Sequence, residues 1–356
     1  MTAGRRVVIR QLADDPLEAF EHTALESIEP PDPAALGARD VLVATRSASV
    51  GWVDLLMTSG QYQHAPKVPY TPGLEYAGVV AWAGREVTHV REGDRVIVDG
   101  LLAGPRSHGA YQAWGGFASH GVAPAEAVHP IPGELTFDQA CNLLGSYETA
   151  YHCLVTRGQL RAGETVLVHG ASGATGLAAV HLAKLLGARV IATGRSRDKL
   201  AVVAEQGADH VVALTAEPFR GEIKALTGGR GVDVVYDGVG GDISVESLRC
   251  VHFGARYLIV GWAATPFVAR TTANQLPTNL IMMKGLSVLG CPTVISTVED
   301  PSLRPPRLAQ ILEWARTGQL RPHVSHVFPL ADYKTAMRAK WRGEVIGGCA
   351  LHIESP

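Results

Sequence analysis

The stretch that decides the fold is VLVHGASGATGLAAVHLAK, Val166 to Lys184. It starts as an apolar run of strand character and continues with apolar residues at helical spacing. Between the two lies a turn with glycine at positions 170, 173 and 176. A strand, a glycine turn and a helix in that order form the first βα unit of a doubly wound sheet. The free N–H groups and dipole of the helix N-terminus favour an anion there. Gly173 would let the backbone approach a pyrophosphate, and Gly176 would let the helix pack close to the strand. The turn reads A-x-G-x-x-G across Ala171, Gly173 and Gly176 rather than the strict G-x-G-x-x-G. Its weight as a signal comes from the strand before it and the helix after it. The residues expected to face a cofactor are Ala171, Ser172, Gly173, Ala174, Thr175 and Gly176. A tight turn with no ligand is the plain alternative.

Downstream of this unit the alternation of strand and helix continues. TVLVHG, RVIATG, VVAL, VDVVYDGV, ARYLIVGW and LSVLG read as strands, and GLAAVHLAKLLG and DKLAVVAEQG as helices. Short spacing between them implies right-handed crossovers and a parallel, doubly wound sheet. Upstream, residues 1 to about 130 carry closely spaced apolar runs, such as DVLVATRSASV, YAGVVAWAG and DRVIVDG, broken by Gly, Pro and Asp. That pattern predicts a barrel-like, largely antiparallel unit. Thr136 and Gln139 have the spacing of a capping box and open a helical stretch. RPPRLAQILEWARTGQL predicts a late helix, HVFPLADYKTAMRAKWRG a strand and another helix, and GGCALHI a last strand. The expected domains are 1–130 with 300–356, and 131–299.

Composition narrows the function classes. The chain has 356 residues, 46% of them hydrophobic, and a formal net charge of −2. No block of like charge stands out, which argues against nucleic acid or an anionic membrane surface as partner. The five cysteines, at 141, 153, 250, 291 and 349, form no C-x-x-C pair. Their odd number and wide spacing argue against a disulfide framework and for a reducing cytoplasm. The start, MTAGRRVVIRQLADD, lacks the apolar run of a signal peptide. No stretch reaches the ~18 apolar residues of a membrane span.

The second strand bears on the choice of cofactor. In dinucleotide sites an acidic residue about 20 positions past the turn holds the ribose 2′-hydroxyl. Here RVIATG ends in GRSRDK, with Gly194 where the acid would stand, followed by Arg195, Ser196, Arg197 and Lys199. A carboxylate repels a 2′-phosphate, whereas guanidinium, ammonium and hydroxyl groups bind it through charge-assisted hydrogen bonds. NADP(H) is therefore expected over NAD(H), with a solvated basic turn as the alternative. Asp198 falls in the following helix and is badly placed to serve as the acid.

Taken together, these landmarks resemble the medium-chain dehydrogenase/reductase superfamily over nearly the whole chain. The resemblance rests on DVLVATRSASVGWVDLLMTSGQY, VPYTPGLEYAGVVAWAG, REGDRVIV, GGFASH, TVLVHGASGATG, NLIMMKGLSVLG and GGCALHI, in that order. It implies a GroES-like β-barrel catalytic domain joined to a Rossmann domain. Zinc members of the superfamily take their catalytic metal from a Cys, a His before a Glu, and a later Cys or His. Here those positions are Gly51, Leu74 (before Glu75) and Gly145, none with a ligating side chain. About three N or S ligands are needed at such a site, and the four clustered cysteines of a structural zinc are missing too. The resemblance is thus to the zinc-independent quinone oxidoreductase-like branch. None of the fourteen histidines forms H-E-x-x-H. His169, His181 and His252 read as packed residues, and Cys141 and Cys153 as small buried hydrophobes.

The resemblance implies hydride transfer from the nicotinamide C4 to a quinone or an α,β-unsaturated carbonyl. Without a Lewis acid, hydrogen bonds must stabilise the charge developing on the substrate oxygen. Val50, Gly51, Trp52 and Tyr62 are expected to line the cleft. Tyr62 matches a family tyrosine near the nicotinamide, as a hydrogen-bond donor or as a wall. Trp52 is expected to stack on a flat substrate or to pack in the barrel. Thr149 matches a family threonine at the nicotinamide ribose. Val239, Gly240 and Gly241, and then Gly261 and Trp262, end later strands at the same sheet edge and should flank the cofactor. An enoyl-thioester reductase is a second reading, for which Arg106, His108 and Arg270 are candidate phosphate contacts. A non-catalytic NADPH-binding protein is a third. Finally, LSVLG (Leu286–Gly290) reads as an edge strand. In the family this strand pairs with its twin across a two-fold axis, so a homodimer is expected.

Overall fold

The computed structural model describes residues 4–62, 66–107, 109–263 and 275–354. They divide into two compact units, residues 1–145 with 312–356, and residues 146–311.

The first unit is built on β1 (Gly4–Ile9), β2 (Thr23–Ile28), β3 (Asp40–Ser49), β4 (Tyr76–Ala83), β5 (Arg95–Val98), β6 (His120–Pro124) and β7 (Val128–Pro130). The second unit contributes β8 (Thr165–Val168), β9 (Arg189–Gly194), β10 (His210–Ala213), β11 (Val232–Asp237), β12 (Val251–Ile259) and β13 (Ser287–Gly290). The chain closes in the first unit with β14 (Val324–Pro329) and β15 (Gly348–His352).

In the first unit a seven-stranded sheet runs in the order β14-β15-β3-β4-β5-β7, with β6 also paired to β3. All pairings are antiparallel except β14 with β15. β3 can be long and central because its DVLVATRSAS is rich in β-branched and small residues, which suit a pleated, mostly buried surface. Its Val41 and Val43 join Tyr76, Val96, Val98, Phe117 and Leu351 in one buried core. Short helices at Pro16–Glu21 and Trp52–Thr58 interrupt the β-rich region. Thr136 and Gln139 do form a capping box, on a helix only four residues long, Phe137–Ala140. Asp138 and Asn142 accept from the hydroxyls of Ser47 and Ser49, so this segment packs on β3.

The second unit is a six-stranded parallel sheet in the order β10-β9-β8-β11-β12-β13. Counted from its first strand this is 3-2-1-4-5-6, the Rossmann order, which reverses direction between β8 and β11. β8 and β11 are buried along their whole length, as parallel strands covered on both faces must be. Among the described residues β13 pairs on one side only, with β12, and all four of its residues are partly or fully exposed. Phe253, Met282, Met283 and Val298 are exposed apolar side chains from the segments that precede and follow β13.

All five cysteines are free and buried. Among the described residues no helix is long and apolar enough to cross a membrane.

Candidate functional site

The glycine turn follows β8 and opens the helix Ala174–Leu185. Gly170 has φ +62°, a left-handed conformation that disfavours other residues. Gly173 is the N-cap, and no side chain caps the helix, so among the described residues its first N–H groups have no side-chain partner. Ser172, Ala174 and Thr175 are half-buried and Gly173 is exposed, leaving the turn open to solvent. Ala171 is buried, its N–H bonded to the Thr193 carbonyl at 3.1 Å. At Gly176 an added Cβ would lie 2.3 Å from the Gly170 carbonyl oxygen, so only glycine allows this closeness of helix and turn.

β9 ends at Gly194, where an added Cβ would press on Leu200 at 3.3 Å. Arg195 is exposed and pairs with no carboxylate among the described residues, and Lys199 is half-buried. The Ser196 hydroxyl caps the helix Arg197–Glu205 by accepting from the Lys199 N–H at 3.4 Å. Asp198 lies in the exposed first turn of that helix.

The later turns lie at the same edge. Asp237, the last residue of β11, accepts from the N–H groups of Val239 and Gly240, each at 2.9 Å. It also accepts from Ser244 Oγ at 2.6 Å and from the Tyr257 hydroxyl. Burial pushes this carboxyl up, but the neighbouring His169 and the hydrogen bonds from Ser244, Tyr257 and Gly240 outweigh that and hold it below its ordinary value. A methyl of Val239 stands 3.0 Å from where a Cβ on Gly170 would be. The backbone of Ala263 bonds the Gly238 carbonyl at 3.1 Å, which sets Gly261 and Trp262 beside the 238–241 loop. The structure therefore gathers the turns after β8, β9, β11 and β12 at one carboxyl edge, where ligands of open α/β sheets bind. An uncapped helix start against glycine backbone is the donor set a pyrophosphate requires, so these residues fit a dinucleotide.

Thr149 lies on the helix Leu144–Tyr151, between buried Glu148 and Ala150. Glu148 is clamped by Arg304, through contacts of 2.8 and 3.1 Å, and by Arg307 at 2.9 Å.

In the first unit, Gly51 caps the helix Trp52–Thr58, and Asp54 organises the surroundings. Its carboxyl accepts from the N–H groups of Gly51 (2.9 Å), Gly73 (3.1 Å) and Leu74 (3.0 Å). Burial pushes Asp54 up to about 6, with those three amides pulling the other way. Val50 is fully buried in the core, its N–H bonded to the Cys349 carbonyl. Trp52 stacks on Trp341, ring centroids 5.0 Å apart, so one indole face is already covered. Tyr62 is half-buried. Of the candidate phosphate contacts, Arg106 lies in the turn Gly104–Arg106, while His108 and Arg270 lie outside the described residues.

The residues at the superfamily's zinc positions do not fit zinc. The Gly145 N–H donates to the Glu75 carboxylate, and a Cβ at 145 would lie 2.8 Å from Glu75 Oε1. Leu74 is buried, and a Cβ on Gly51 would stand 3.0 Å from Asp54 Oδ2. Backbone amides and engaged carboxylates take the space that ligating side chains need.

Asp237, Asp54 and the Glu148 cluster escaped the sequence reading. The visible signal for Asp237 was an acid ending an apolar strand just before GVGG. His169 is packed in the interior as expected, whereas His181 and His252 are half-buried, and all three are hydrogen-bonded.

Comparison with known proteins agrees with this architecture. Residues 37–133 match the family described as alcohol dehydrogenase GroES-like domain, and residues 174–301 the family described as zinc-binding dehydrogenase. A quinone oxidoreductase-like protein 2 homolog from Nematostella vectensis is 34% identical over 317 residues, 87% of this chain and 82% of the relative. The solved structure of a probable oxidoreductase from Mycobacterium abscessus superposes with a TM-score of 0.82 at 29% identity, covering 99% of this chain and 100% of that one. An NAD-dependent alcohol dehydrogenase gives a TM-score of 0.81 at 27% identity, covering 98% and 100%. The chain belongs to the medium-chain dehydrogenase/reductase superfamily, in its quinone oxidoreductase-like branch. It is an oxidoreductase of that kind.

Proposed function

We propose that the protein is an NADPH-dependent, zinc-independent reductase that transfers hydride to a quinone or an α,β-unsaturated carbonyl. The observation that carries this reading is the glycine turn followed by a second strand that ends in Gly194, with Arg195 next, instead of an acid. Because structural neighbours include an NAD-dependent enzyme, the cofactor choice rests on this chain's own residues.

The pyrophosphate sits on Ser172 to Gly176 at the helix start, with Ala171 fixing the turn from below. Gly194 leaves room for the adenosine ribose, while Arg195, Ser196 and Lys199 hold the 2′-phosphate. Val239, Gly240 and Gly241, with Gly261 and Trp262, border the rest of the cofactor, and Thr149 takes the nicotinamide ribose. When bound, NADPH supplies a hydride from its nicotinamide C4. Tyr62 and Trp52 border the substrate, and Val50 backs them from the core. A conjugated acceptor suits a site without a metal, since charge spreads through conjugation and hydrogen bonds suffice to stabilise it. We also infer a homodimer through β13, on the strength of the side left unpaired among the described residues and the apolar side chains of the neighbouring segments.

The test is NADPH oxidation followed across a panel of quinones, enals, enones and enoyl thioesters. Turnover with quinones or enones is the expected result. Turnover confined to enoyl thioesters, or none with any acceptor, would overturn the reading.

A further inference from the structure

The two strands that flank the reversal of the sheet each end in a buried polar residue that no step above uses. His169 follows β8 and Asp237 closes β11, with 1% and 2% of their surface exposed. His169 Nδ1 lies 2.7 Å from Thr193 Oγ1, and its Nε2 lies 2.6 Å from Ser247 Oγ. The Ser247 hydroxyl donates to the Ile243 carbonyl at 2.6 Å. Its oxygen must therefore accept from His169, which places the ring proton on Nε2 and leaves Nδ1 to accept from Thr193. Both ring nitrogens are thereby satisfied by a neutral imidazole.

Thr193 immediately precedes Gly194, so one end of this relay holds the turn of the basic cluster. Ser247 belongs to the helix Asp242–Ser247, whose buried face also carries Ser244. Ser244 in turn donates to Asp237, which accepts from the 239–240 amides and from Tyr257 on β12. A continuous chain thus runs Thr193–His169–Ser247, through one short helix, to Ser244–Asp237–Tyr257. It passes beneath the turns after β9, β8, β11 and β12. A fully satisfied buried network of this type specifies one arrangement of its members.

We propose that His169 and Asp237 are positioning residues that, linked through the helix Asp242–Ser247, hold the cofactor-facing turns in one preformed arrangement. The proposal rests on the reading of that edge as a dinucleotide site. Preformed turns lower the ordering cost of binding, so loosening the network weakens affinity without touching a contact residue.

The experiment compares the full chain with His169→Phe, Ser247→Ala and the double variant. NADPH binding is read by fluorescence titration, and amide hydrogen exchange by mass spectrometry without cofactor. His169→Phe keeps a planar ring and deletes both bonds. The expected result is an NADPH Kd raised by about tenfold, equivalent to roughly 1.4 kcal/mol. Exchange should also quicken at residues 238–241, to which His169 makes no hydrogen bond. Ser247→Ala should reproduce part of both effects. The double variant should be no worse than His169→Phe, because both changes break the same link. A merely structural role would lower the melting temperature while leaving Kd within about twofold. That result, or unaltered exchange at 238–241, overturns the proposal. If His169→Phe does not fold, Ser247→Ala decides by the same two readouts. If the unmodified protein binds neither NADPH nor NADH, the functional reading fails, and the exchange comparison still decides this one.

Discussion

Gly176→Ala pits local propensity against tertiary contact. Inside a helix, alanine is favoured over glycine by about 1 kcal/mol. The new Cβ, however, would lie 2.3 Å from the Gly170 carbonyl oxygen and 2.9 Å from the Ala171 Cα. Neither atom is the end of a flexible side chain. The turn is also tied down, with the His169 N–H bonded to Tyr236 at 3.0 Å and the Ala171 N–H to Thr193 at 3.1 Å. Overpacking costs about 1–3 kcal/mol, and a rigid backbone neighbour takes it to the top of that range. After the propensity gain the net loss is about 2 kcal/mol. For a unit of roughly 150–250 residues this lowers the melting temperature by about 4–8 °C. Gly173→Ala is the control. Its Cβ would meet only the Gly170 oxygen, at 3.3 Å, and its φ of −74° suits any residue. It sacrifices an N-cap preference of under about 1 kcal/mol and asks the Gly170 carbonyl to give by only a few tenths of an ångström, against more than an ångström at Gly176. Its methyl nevertheless stands at the exposed face assigned to the pyrophosphate, so NADPH affinity should fall about tenfold or more, in line with a lost charged hydrogen bond. Calorimetry and NADPH titration on both variants check this. A wild-type melting temperature for Gly176→Ala would refute the packing argument. A full-affinity Gly173→Ala would refute the assignment of the turn.

Arg195→Ala should weaken NADPH binding by about 1.5–3 kcal/mol and leave NADH binding nearly unchanged; equal loss for both cofactors in titration would sink the 2′-phosphate assignment. With Gly51, Leu74 and Gly145 at the superfamily's ligand positions, the purified protein should hold no stoichiometric zinc and keep its activity in a chelator. One tightly held zinc per chain by elemental analysis contradicts this. Val288→Pro removes a donor from the β13 ladder and should shift the dimer toward monomer or aggregate; light scattering that shows a monomer for the unmodified protein at micromolar concentration refutes the dimer. Burial pushes His169 and His152 down to about 4, from an ordinary 6.5. Between those values the unfolded chain binds more protons, so stability is complete above pH 6.5 and declines as pH falls toward 4. The loss is roughly 3 kcal/mol for the fully buried His169 and smaller for His152, whose charged form is partly screened by solvent. Denaturant titrations should show a shallower acid slope for His169→Gln, and an unchanged slope would contradict this.

The Rossmann sheet was legible because its signals are local. A strand, a glycine turn and a helix lie within Val166–Lys184, and each is read from residues a few positions apart. The same holds for Gly176, whose need for closeness follows from the turn it sits in, and for Gly194, whose missing acid is itself a sequence fact. The absence of zinc ligands at Gly51, Leu74 and Gly145 was equally visible. What replaces them was not. Glu75 bonds to the Gly145 amide 70 positions away, and only folding brings the two together.

Composition, periodicity and turn chemistry therefore determined the class of each unit, the strand-to-helix turn and the basic cluster after β9. Each depends on neighbours along the chain. The tertiary structure alone decided which polar groups meet in the interior. His169 reaches Ser247 across 78 residues, and Glu148 reaches Arg304 across 156. Trp52 covers one indole face with Trp341, a partner from the far end of the chain. Nothing in local sequence encodes such pairings, because a buried polar side chain must take whichever partner the packed strands and helices bring within hydrogen-bonding distance.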